Sequence, residues 1–392
     1  MCDTLCVLGS DGLRFAKNSD RPPGEPQVVL PFPSRGPGIP VHTQYRVLPD
    51  PGAAGLIGSR PDWLWGFEHG INEHRVAIGN EKIWTVDDPA AAPDALIGMD
   101  LVRLGLERGT TADDALDAVT GLLDTVGQGG VADATVPEAY WSSFLIADPS
   151  RAWILETSGN RWVAAPVADG AAISNRVSLR TEWTRASVGV ARGTDVDSWR
   201  DPLAPTAIGD LRLAVTRECV AHRDVTARDL VATLRHHGDR AWGAPGSAVH
   251  DVSLPPTGLD PDFTGISVCM HVRDLTVTTA SMVTELPLDP DRPARAWFAL
   301  GAPCASVFVP AFPPTVGAAL GSEKTWRRFD ELRGRVESDG ESLRAVRAEF
   351  GPVEAELWDA ADAIAARPAE HRSFTRDAFD AVHDALLRLG VA

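Results

Sequence analysis

Cys2 directly follows the first methionine, and the chemistry of this sequence can be argued from it most directly. Cysteine is small enough that methionine aminopeptidase normally removes the residue before it, which would leave a thiol and a free α-amine on one Cα. The thiolate is the reactive form, and a thiol with a pKa near ~8.5 is mostly un-ionised at neutral pH. An α-amine with a pKa of about 7.7–8.0 is partly neutral there and can take the thiol proton. Cys2 therefore predicts a nucleophile that carries its own base, although a structural cysteine is the commoner alternative.

A predicted β-hairpin would place a carboxylate beside this amine. Residues 4–8 and 13–18 have the pattern of two strands, and residues 10–12 have that of a turn. A three-residue loop pairs Cys2 with Asp20 and puts both, with Thr4 and Asn18, on one face. A two-residue loop is expected to place Arg21 opposite Cys2 instead. Asp20 is the candidate that orients the amine, and Asn18 and Arg21 are candidates for substrate binding.

Two asparagines and two tryptophans could complete such a site. Acyl transfer needs donors for the developing oxyanion, which asparagine amides or backbone N–H groups supply without adding charge. Asn80 and Asn175 are both expected to end strands, where such groups can project into a cleft. Trp63 and Trp65 are two residues apart, so on a strand their rings would share one face and could wall a substrate pocket. The alternative is that both tryptophans belong to the core and both asparagines to turns.

Other chemistries find little support in the sequence. The segment 265–269 begins like a nucleophile elbow but lacks the final glycine, and neither a Walker loop nor G-x-G-x-x-G occurs. The pairs Glu68-His69 and Glu73-His74 do not have the spacing of a zinc motif, and His236-His237 is expected to be a solvated helix end. We therefore expect no metal and no cofactor.

Composition bounds the partners and the compartment. The formal net charge of −17 argues against nucleic acid and anionic membranes as partners, since phosphate binding needs a basic surface. Five widely spread cysteines favour reduced thiols, and no signal-peptide pattern begins the chain. We expect a cytoplasmic protein that acts on a small peptide or amide, with a homo-oligomer as one open assembly state.

The elements that would position these residues alternate between strands and helices. Helices are expected at 100–108, from Thr111, and at 226–235, with a buried stripe in the second at positions 115, 116, 119, 122 and 123. Short strands at 143–148, 152–156 and 161–164 predict an antiparallel meander, and strands resume at 265–272, 275–286 and 296–300. From 322 onward the pattern is helical. Together these predict two sheets covered by helices, an α+β fold.

Several segments, in the same order along residues 2–310, resemble the secernin and dipeptidase family of N-terminal nucleophile (Ntn) hydrolases. The segments are Cys2-Asp3-Thr4, Lys17-Asn18-Ser19-Asp20-Arg21, Trp63-Leu64-Trp65-Gly66, Asn72-Glu73-His74, Ile78-Gly79-Asn80-Glu81, residues 98–104, 143–148, 153–157 and 173–175, and residues 278–283. The pattern is more distantly similar to that of penicillin V acylases and bile salt hydrolases.

The resemblance implies an Ntn-hydrolase four-layer αββα sandwich over residues 2–310, with a C-terminal helical extension over 311–392. By position it implies Cys2 as nucleophile and Asp20 as the residue that orients its amine. It also implies an oxyanion hole formed by the Asn80 backbone N–H and the Asn175 amide. The acylases have a second active-site arginine, for which Arg180 and Arg273 are the candidates here.

The sequence thus predicts a cysteine-type amidohydrolase, foremost a dipeptidase, that forms a thioester acyl-enzyme. An acylase or acyltransferase acting on small N-acyl amides is the alternative within the same class. A secernin-like protein that uses the fold for interaction without catalysis is the alternative from another class.

Overall fold

The computed structural model describes residues 1–135, 137–204, 206–237, 266–272, 275–338 and 340–391. Numbered along the chain, the strands are β1 (Cys2–Gly9), β2 (Gly12–Arg21), β3 (Gln27–Phe32), β4 (Gly38–His42), β5 (Val47–Asp50), β6 (Leu56–Pro61), β7 (His69–Asn72), β8 (Ala77–Ile83), β9 (Trp141–Ala147), β10 (Ala152–Ser158), β11 (Arg161–Pro166), β12 (Gly170–Ile173), β13 (Arg185–Ala186), β14 (His271–Val272), β15 (Thr276–Pro287), β16 (Arg295–Leu300) and β17 (Val309–Ala311). The helices are α1 (Gly98–Arg108), α2 (Ala112–Thr125), α3 (Thr206–Val220), α4 (Ala227–Leu234), α5 (Glu323–Ser338), α6 (Gly340–Ile364) and α7 (Pro368–Arg388).

Two antiparallel sheets form the centre of the molecule. The first has the strand order β12-β1-β2-β15-β16-β17, with β14 also paired to β15. The second has the order β13-β11-β10-β9-β8-β7-β6-β3, while β4 and β5 pair separately. β1, which begins with Cys2, therefore lies inside the first sheet and not at its edge.

Helices cover the outer faces of both sheets. α1 and α2 contact β7 to β10 of the second sheet, α3 and α4 contact β1, β2, β12 and β15 of the first, and β1 contacts β8 and β9 across the interior. Alternation along β9 shows the layering, because Phe144 belongs to the same buried cluster as Leu104 of α1, whereas the next residue, Leu145, belongs to the cluster that contains Phe15 of β2. The predicted α+β fold with four αββα layers is confirmed.

The C-terminal helices share the core between the sheets. Trp326 of α5, Phe350 of α6 and Val382 of α7 belong to the same buried cluster as Phe15. α6 and α7 contact β17, and α5 contacts β3. The predicted helical extension is therefore present, and its boundary at residue 310 stays a prediction. Within the described residues, the helices are too short or too polar to cross a membrane.

The register of the first hairpin differs from the prediction. Gly9 pairs with Gly12, so the loop holds two residues, and Cys2 lies opposite Ser19 and not Asp20 or Arg21. Because side chains alternate along a strand, this one-residue difference exchanges the two faces of β2. Gly12 has φ 141° and lies so close to β15 that a Cβ there would be 2.2 Å from the Leu286 carbonyl oxygen, which ties this short turn to the sheet.

Most helices match the sequence pattern, and α3 does not. α2 begins after Thr111, whose side chain accepts from the Asp114 N–H at 3.1 Å, and its predicted stripe is buried. In α3 the buried side chains include Ile208, Arg212, Leu213 and Thr216. Because Arg212 and Thr216 are polar, the apolar periodicity of this helix is interrupted, and the sequence pattern does not predict it.

Candidate active site

Cys2 opens onto a cleft at the end of the sandwich where β1 begins and β2 ends. The cleft has a volume of about 470 Å³ and is lined by residues 1–2, 20–23, 68, 80, 82, 84, 133, 135, 138, 140, 208, 275 and 276. The Cys2 Sγ lies 3.9 Å from Glu68 Oε2, which comes from the second sheet. Cys2 is only 4% exposed, so reagents in solvent reach its thiol through this cleft.

The backbone nitrogen of Cys2 is held by Asn175. It donates to Asn175 Oδ1 at 3.1 Å, and Asn175 Nδ2 donates to the Lys82 carbonyl at 2.7 Å. Asn175 follows β12, the strand paired with β1, so its position next to Cys2 results from the sheet order. If Met1 is removed, this nitrogen becomes the α-amine, already within hydrogen-bond distance of a neutral acceptor.

Met1 occupies part of the cleft. Its amine donates to the Asp20 carbonyl at 2.8 Å, and its carbonyl accepts from the Asp20 N–H at 2.7 Å. Met1 thus continues β1 by one residue opposite Asp20. Its removal would leave this backbone donor and acceptor of Asp20 facing the cleft.

The Asp20 carboxylate lies on the opposite face of β2 from the position that the predicted register required. Its Oδ1 accepts from Thr278 Oγ1 at 2.7 Å, and its Oδ2 lies 3.3 Å from an Arg212 nitrogen. Burial raises the pKa of Asp20 to about 6, although the Arg212 charge and the chain's amino terminus oppose that shift. Asp20 therefore contributes to the cleft through its backbone and to a buried charge network through its side chain.

Arg212 is the functional candidate that sequence reasoning missed. Its guanidinium is fully buried and donates to Asp3 Oδ2 at 2.6 Å, to the Cys2 carbonyl at 3.1 Å and to Asn175 Oδ1. Its Nε donates to the Ile208 carbonyl one helical turn earlier at 2.9 Å. One side chain of α3 thus joins the polar groups around the Cys2 backbone. The signal in the sequence is an arginine between Leu211 and Leu213, in a helix that the pattern did not predict.

A second buried network lies on the side-chain face of Cys2. Lys17 Nζ donates to the Asn80 carbonyl at 2.7 Å and lies 3.9 Å from Glu81 Oε1, which also accepts from Thr4 Oγ1. Burial raises the pKa of Glu81 to about 8, although the Lys17 charge opposes the shift. This network fixes the backbone of β8 beside the cleft.

Asn80 lies in the middle of β8 and not at a strand end as predicted. Its N–H points to the Glu68 carbonyl at a long 3.4 Å, and its Nδ2 lies 3.6 Å from Met99 Sδ. The Asn80 Oδ1 is buried without a hydrogen-bond partner among the described residues. The residue is thus at the cleft with weakly engaged polar groups.

The resting form of Cys2 is the thiol. Burial raises its pKa, the Lys17 charge and the chain's amino terminus lower it, and the Glu68 and Asp20 charges raise it. Because the net direction is upward, a nucleophilic role needs a base that removes the proton during attack.

Arg21 lines the cleft, whereas Trp63 and Trp65 do not. Its guanidinium donates to Glu25 at 2.7 Å and 3.1 Å and to Glu68 Oε1 at 3.3 Å. Trp63 Nε1 donates to Glu25, the carboxylate that also binds Arg21. The Arg103 guanidinium carbon lies 4.0 Å from the centre of the Trp65 ring. Residues 62–66 form turns and not a strand, so the alternation that would have put both rings on one face does not apply.

Asn18 and the two arginine candidates also lie apart from the cleft or outside the description. Asn18 donates to the Leu234 and Val268 carbonyls at 2.9 and 2.8 Å and accepts from Ser281, so it ties β2 to α4 instead of facing substrate. Arg180 is exposed and paired with Asp195. Arg273 lies outside the described residues.

The aromatic wall of the cleft consists of residues that the sequence reasoning passed over. Trp84 and Tyr140 flank Lys82, whose Nζ lies 4.9 and 5.6 Å from their ring centres. Lys82 also forms an ion pair with Glu138. Trp84 follows β8 and Tyr140 precedes β9, so the paired strands bring the two rings to the same end.

The acid–histidine pairs considered in the sequence do not converge on a metal site. Glu68 contacts Arg21 and Cys2, while His69 Nδ1 lies 3.0 Å from Ser19 Oγ. Burial and the Lys17 charge lower the pKa of His69, so the imidazole is neutral. Glu73 accepts from the Gly55 N–H on the far side of β6.

Comparison with known proteins gives the following. No family model matches the chain. Among solved structures, it is similar to a mutant conjugated bile acid hydrolase from Clostridium perfringens (9% identity, TM-score 0.44, 76% of this chain and 88% of that one). It is also similar to penicillin V acylase from Agrobacterium tumefaciens (10% identity, TM-score 0.45, 80% of this chain and 87% of that one). A third similar structure is the N-acylethanolamine-hydrolyzing acid amidase ortholog from Caenorhabditis elegans (11% identity, TM-score 0.36, 74% of this chain and 94% of that one).

Proposed function

We propose that this protein is a cysteine amidohydrolase of the N-terminal nucleophile type and that its substrates are dipeptides. The observation that carries the proposal is the position of Cys2, whose thiol opens into the cleft while its backbone nitrogen is held 3.1 Å from Asn175 Oδ1. Removal of Met1 would convert that nitrogen into an α-amine on the same Cα as the thiol. The raised pKa of the thiol makes such a neighbouring base necessary.

The reaction begins with transfer of the thiol proton to the α-amine, directly or through one water. The thiolate attacks the substrate carbonyl carbon, and the carbonyl π electrons move to its oxygen. When the tetrahedral intermediate collapses, the C–N bond breaks and the α-ammonium returns the proton to the leaving amine. Water, with its proton taken by the same amine, then cleaves the thioester and releases the acid and the free thiol.

The oxyanion is assigned to the Asn80 backbone N–H and the Asn175 amide. The Asn80 N–H makes only a long contact to Glu68, so it is available to a stronger acceptor. Asn175 Nδ2 carries two hydrogens, one of which goes to Lys82. Arg212 is a positioning residue in this scheme, because it holds Asn175 Oδ1 and the Cys2 carbonyl together.

The chemistry of the cleft supports a dipeptide as substrate. Lys82 and Glu138, which pair with each other in the cleft, can exchange that contact for a substrate carboxylate and a substrate ammonium group. The Asp20 N–H and carbonyl, freed by loss of Met1, match the backbone groups of an extended peptide. A volume of about 470 Å³ is within the range of small-molecule sites.

An acylase acting on small N-acyl amides is the second candidate. The observation that favours it is the apolar part of the cleft wall, formed by Trp84, Tyr140, Ile208 and Leu275. These side chains could hold an acyl chain that a dipeptide lacks.

The five free thiols agree with a proposed cytoplasmic location.

The test compares amino-acid release from a mixed dipeptide panel, and then amine release from N-acyl amides, by four versions of the chain. The wild type is first confirmed by intact mass to begin at Cys2. Cys2→Ala should lose about 10³-fold or more in kcat, whereas Cys219→Ala, a thiol on α3 away from the cleft, should keep full activity. A chain with a bulky residue inserted between Met1 and Cys2 should fold but stay inactive, since its base is blocked.

Each result has a definite meaning. Release from N-acyl amides alone would reject the dipeptidase and retain the acylase. No release from either class by a chain that begins at Cys2 would reject catalysis and leave a protein that uses its fold for interaction. Equal activity of the blocked chain would overturn the α-amine as base.

A further inference from the structure

Two cysteines and two histidines converge in the core, away from the cleft of Cys2. They are His237, which follows α4; Cys269, just before β14; His271, the first residue of β14; and Cys304, in the 3₁₀ turn Pro303–Ala305. Their potential ligand atoms all lie within 4.8 Å of one another. Cys269, His271 and Cys304 are completely buried. The proposed hydrolysis uses none of these four side chains.

The separations are those of ligands around one small cation. Cys269 Sγ and Cys304 Sγ each lie 3.3 Å from His271 Nε2. In a tetrahedral zinc site, with Zn–S about 2.3 Å and Zn–N about 2.0–2.1 Å, a sulfur and a nitrogen ligand are about 3.5 Å apart. For these two pairs, a bound metal would therefore require shifts of only a few tenths of an ångström.

The contact on the other side of His271 points to the same conclusion. Its Nδ1 lies 2.8 Å from Glu337 Oε1 of α5, and Glu337 Oε2 accepts from Arg333 at 2.7 Å. When this carboxylate accepts a hydrogen bond from Nδ1–H, the lone pair of the neutral imidazole lies on Nε2, the atom that faces both thiols. Metal-bound histidines usually have such a carboxylate or carbonyl partner, which orients the ring and raises its basicity.

Two other roles explain less of this arrangement. A Cys269–Cys304 disulfide would account for the thiols but not for the imidazole placed between them, and both thiols are free in this structure. A cysteine–histidine–glutamate hydrolytic triad would need a substrate at the sulfur, yet Cys304, His271 and Cys269 have no exposure. A closed set of two thiolates and two imidazoles is typical of structural zinc.

We propose that His237, Cys269, His271 and Cys304 bind one structural Zn²⁺ ion. The ion would join the segment after α4, the segment that enters β14 and the turn at Cys304, three parts of the chain that are distant in sequence. Thiolate and imidazole are preferred zinc ligands, and their closed, buried arrangement offers no position for a substrate.

The site would also stabilise one side of the cleft. Met270, between the two β14-side ligands, donates its N–H to Thr278 Oγ1 at 2.9 Å, and Thr278 Oγ1 donates to Asp20 Oδ1 at 2.7 Å. Met270 also belongs to the apolar cluster against which Met1 packs. Loss of the metal would therefore loosen the segment that supports Asp20.

The test measures zinc in the full chain, purified under reducing conditions without chelator, by plasma mass spectrometry. We expect about one zinc per chain in the wild type, in Cys2→Ala and in Cys219→Ser. Cys269→Ser combined with Cys304→Ser should bind none. Chelator-treated wild type should take up Co²⁺ with the thiolate charge-transfer band and intense visible bands of a tetrahedral site.

A milder variant keeps the test valid if the double variant does not fold. Glu337→Gln retains all four ligands and should weaken Zn²⁺ affinity by about 10- to 100-fold, measured by competition with a chromophoric chelator. Glu331→Gln, an exposed change on the same helix, should leave that affinity unchanged. The proposal is overturned if folded wild type takes up neither Zn²⁺ nor Co²⁺. It is equally overturned if Cys269 and Cys304 prove to be disulfide-bonded. Zinc that persists in the double serine variant, or a Zn²⁺ affinity of Glu337→Gln equal to that of the wild type, would also overturn it.

Discussion

Replacing Arg212 by methionine removes a buried guanidinium while keeping most of the volume of the side chain. In the wild type this group faces two buried carboxylates, Asp3 and Asp20, and also donates to Asn175 and to the Cys2 carbonyl. Without it, both carboxylates would be buried with no arginine partner. Breaking a buried ion pair by removing one partner destabilises a protein by about 3–5 kcal/mol, which is the loss of unfolding free energy that we expect at pH 7.

The loss should shrink in acid, and the sign follows from the pKa shifts. Burial raises the pKa of Asp3, and it raises that of Asp20 to about 6, even with Arg212 present. In the variant both pKa values rise further, so the folded variant holds a proton that the folded wild type lacks at pH 7. Each such proton changes the stability difference by about 1.4 kcal/mol per pH unit. Because the wild-type Asp20 itself takes up a proton near pH 6, one extra proton on the variant would reduce the loss by at most about 2.8 kcal/mol between pH 7 and pH 5, from about 3–5 to about 0–2 kcal/mol.

The assay is urea unfolding followed by tryptophan fluorescence at pH 5 and pH 7. Arg217→Met, an exposed change on the same helix, is the matched control and should alter stability by less than about 0.5 kcal/mol. Arg212→Lys keeps the charge but not the planar fork, so it should lie between wild type and methionine. A loss below about 1 kcal/mol at pH 7, or the same loss at both pH values, would refute the reasoning.

Three further predictions concern single residues. Burial raises the pKa of Glu156 from its ordinary value near 4.3 to about 7, so the fold favours its protonated form. The free energy of unfolding should therefore fall by about 3–4 kcal/mol as the pH rises from 4 to 7. In urea unfolding, Glu156→Gln should remove this part of the pH dependence. A Cβ at Gly98 would lie 2.2 Å from Ser142 Oγ and 2.8 Å from Asn80 Nδ2, so Gly98→Ala should displace β8 and β9 beside the cleft and lower kcat about tenfold or more with little change in KM, whereas Gly121→Ala, with open space around it, should leave kcat unchanged. Trp84→Ala removes part of the cleft wall and should raise KM about tenfold while kcat changes less; an unchanged KM would remove Trp84 from the substrate site.

The local elements could be predicted wherever their own residues carry the pattern. Helix α2 has both a cap at Thr111 and an apolar stripe, and the meander β9 to β11 has alternation and turn residues, so each was predicted close to its observed bounds. Helix α3 was not predicted, because Arg212 and Thr216 occupy positions in its buried stripe that apolar residues usually fill. The Arg212 side chain meets the Cys2 carbonyl and the carboxylates of Asp3 and Asp20, whereas the Thr216 hydroxyl donates to the Arg212 carbonyl within the helix.

Sequence alone therefore determined that position 2 carries a thiol able to share its Cα with a base, and that polar residues near positions 20, 80 and 175 could serve it. Only the tertiary structure decided which of them face the cleft. A one-residue difference in hairpin register turned Asp20 toward Arg212, and a turn in place of a strand removed Trp63 and Trp65 from the wall. The cluster of His237, Cys269, His271 and Cys304 could not be predicted from the sequence either, since its members come from segments that are far apart in the chain. Alternation and periodicity report neighbours along one element, whereas a site depends on register and layer packing, which are set by contacts between residues far apart in the chain.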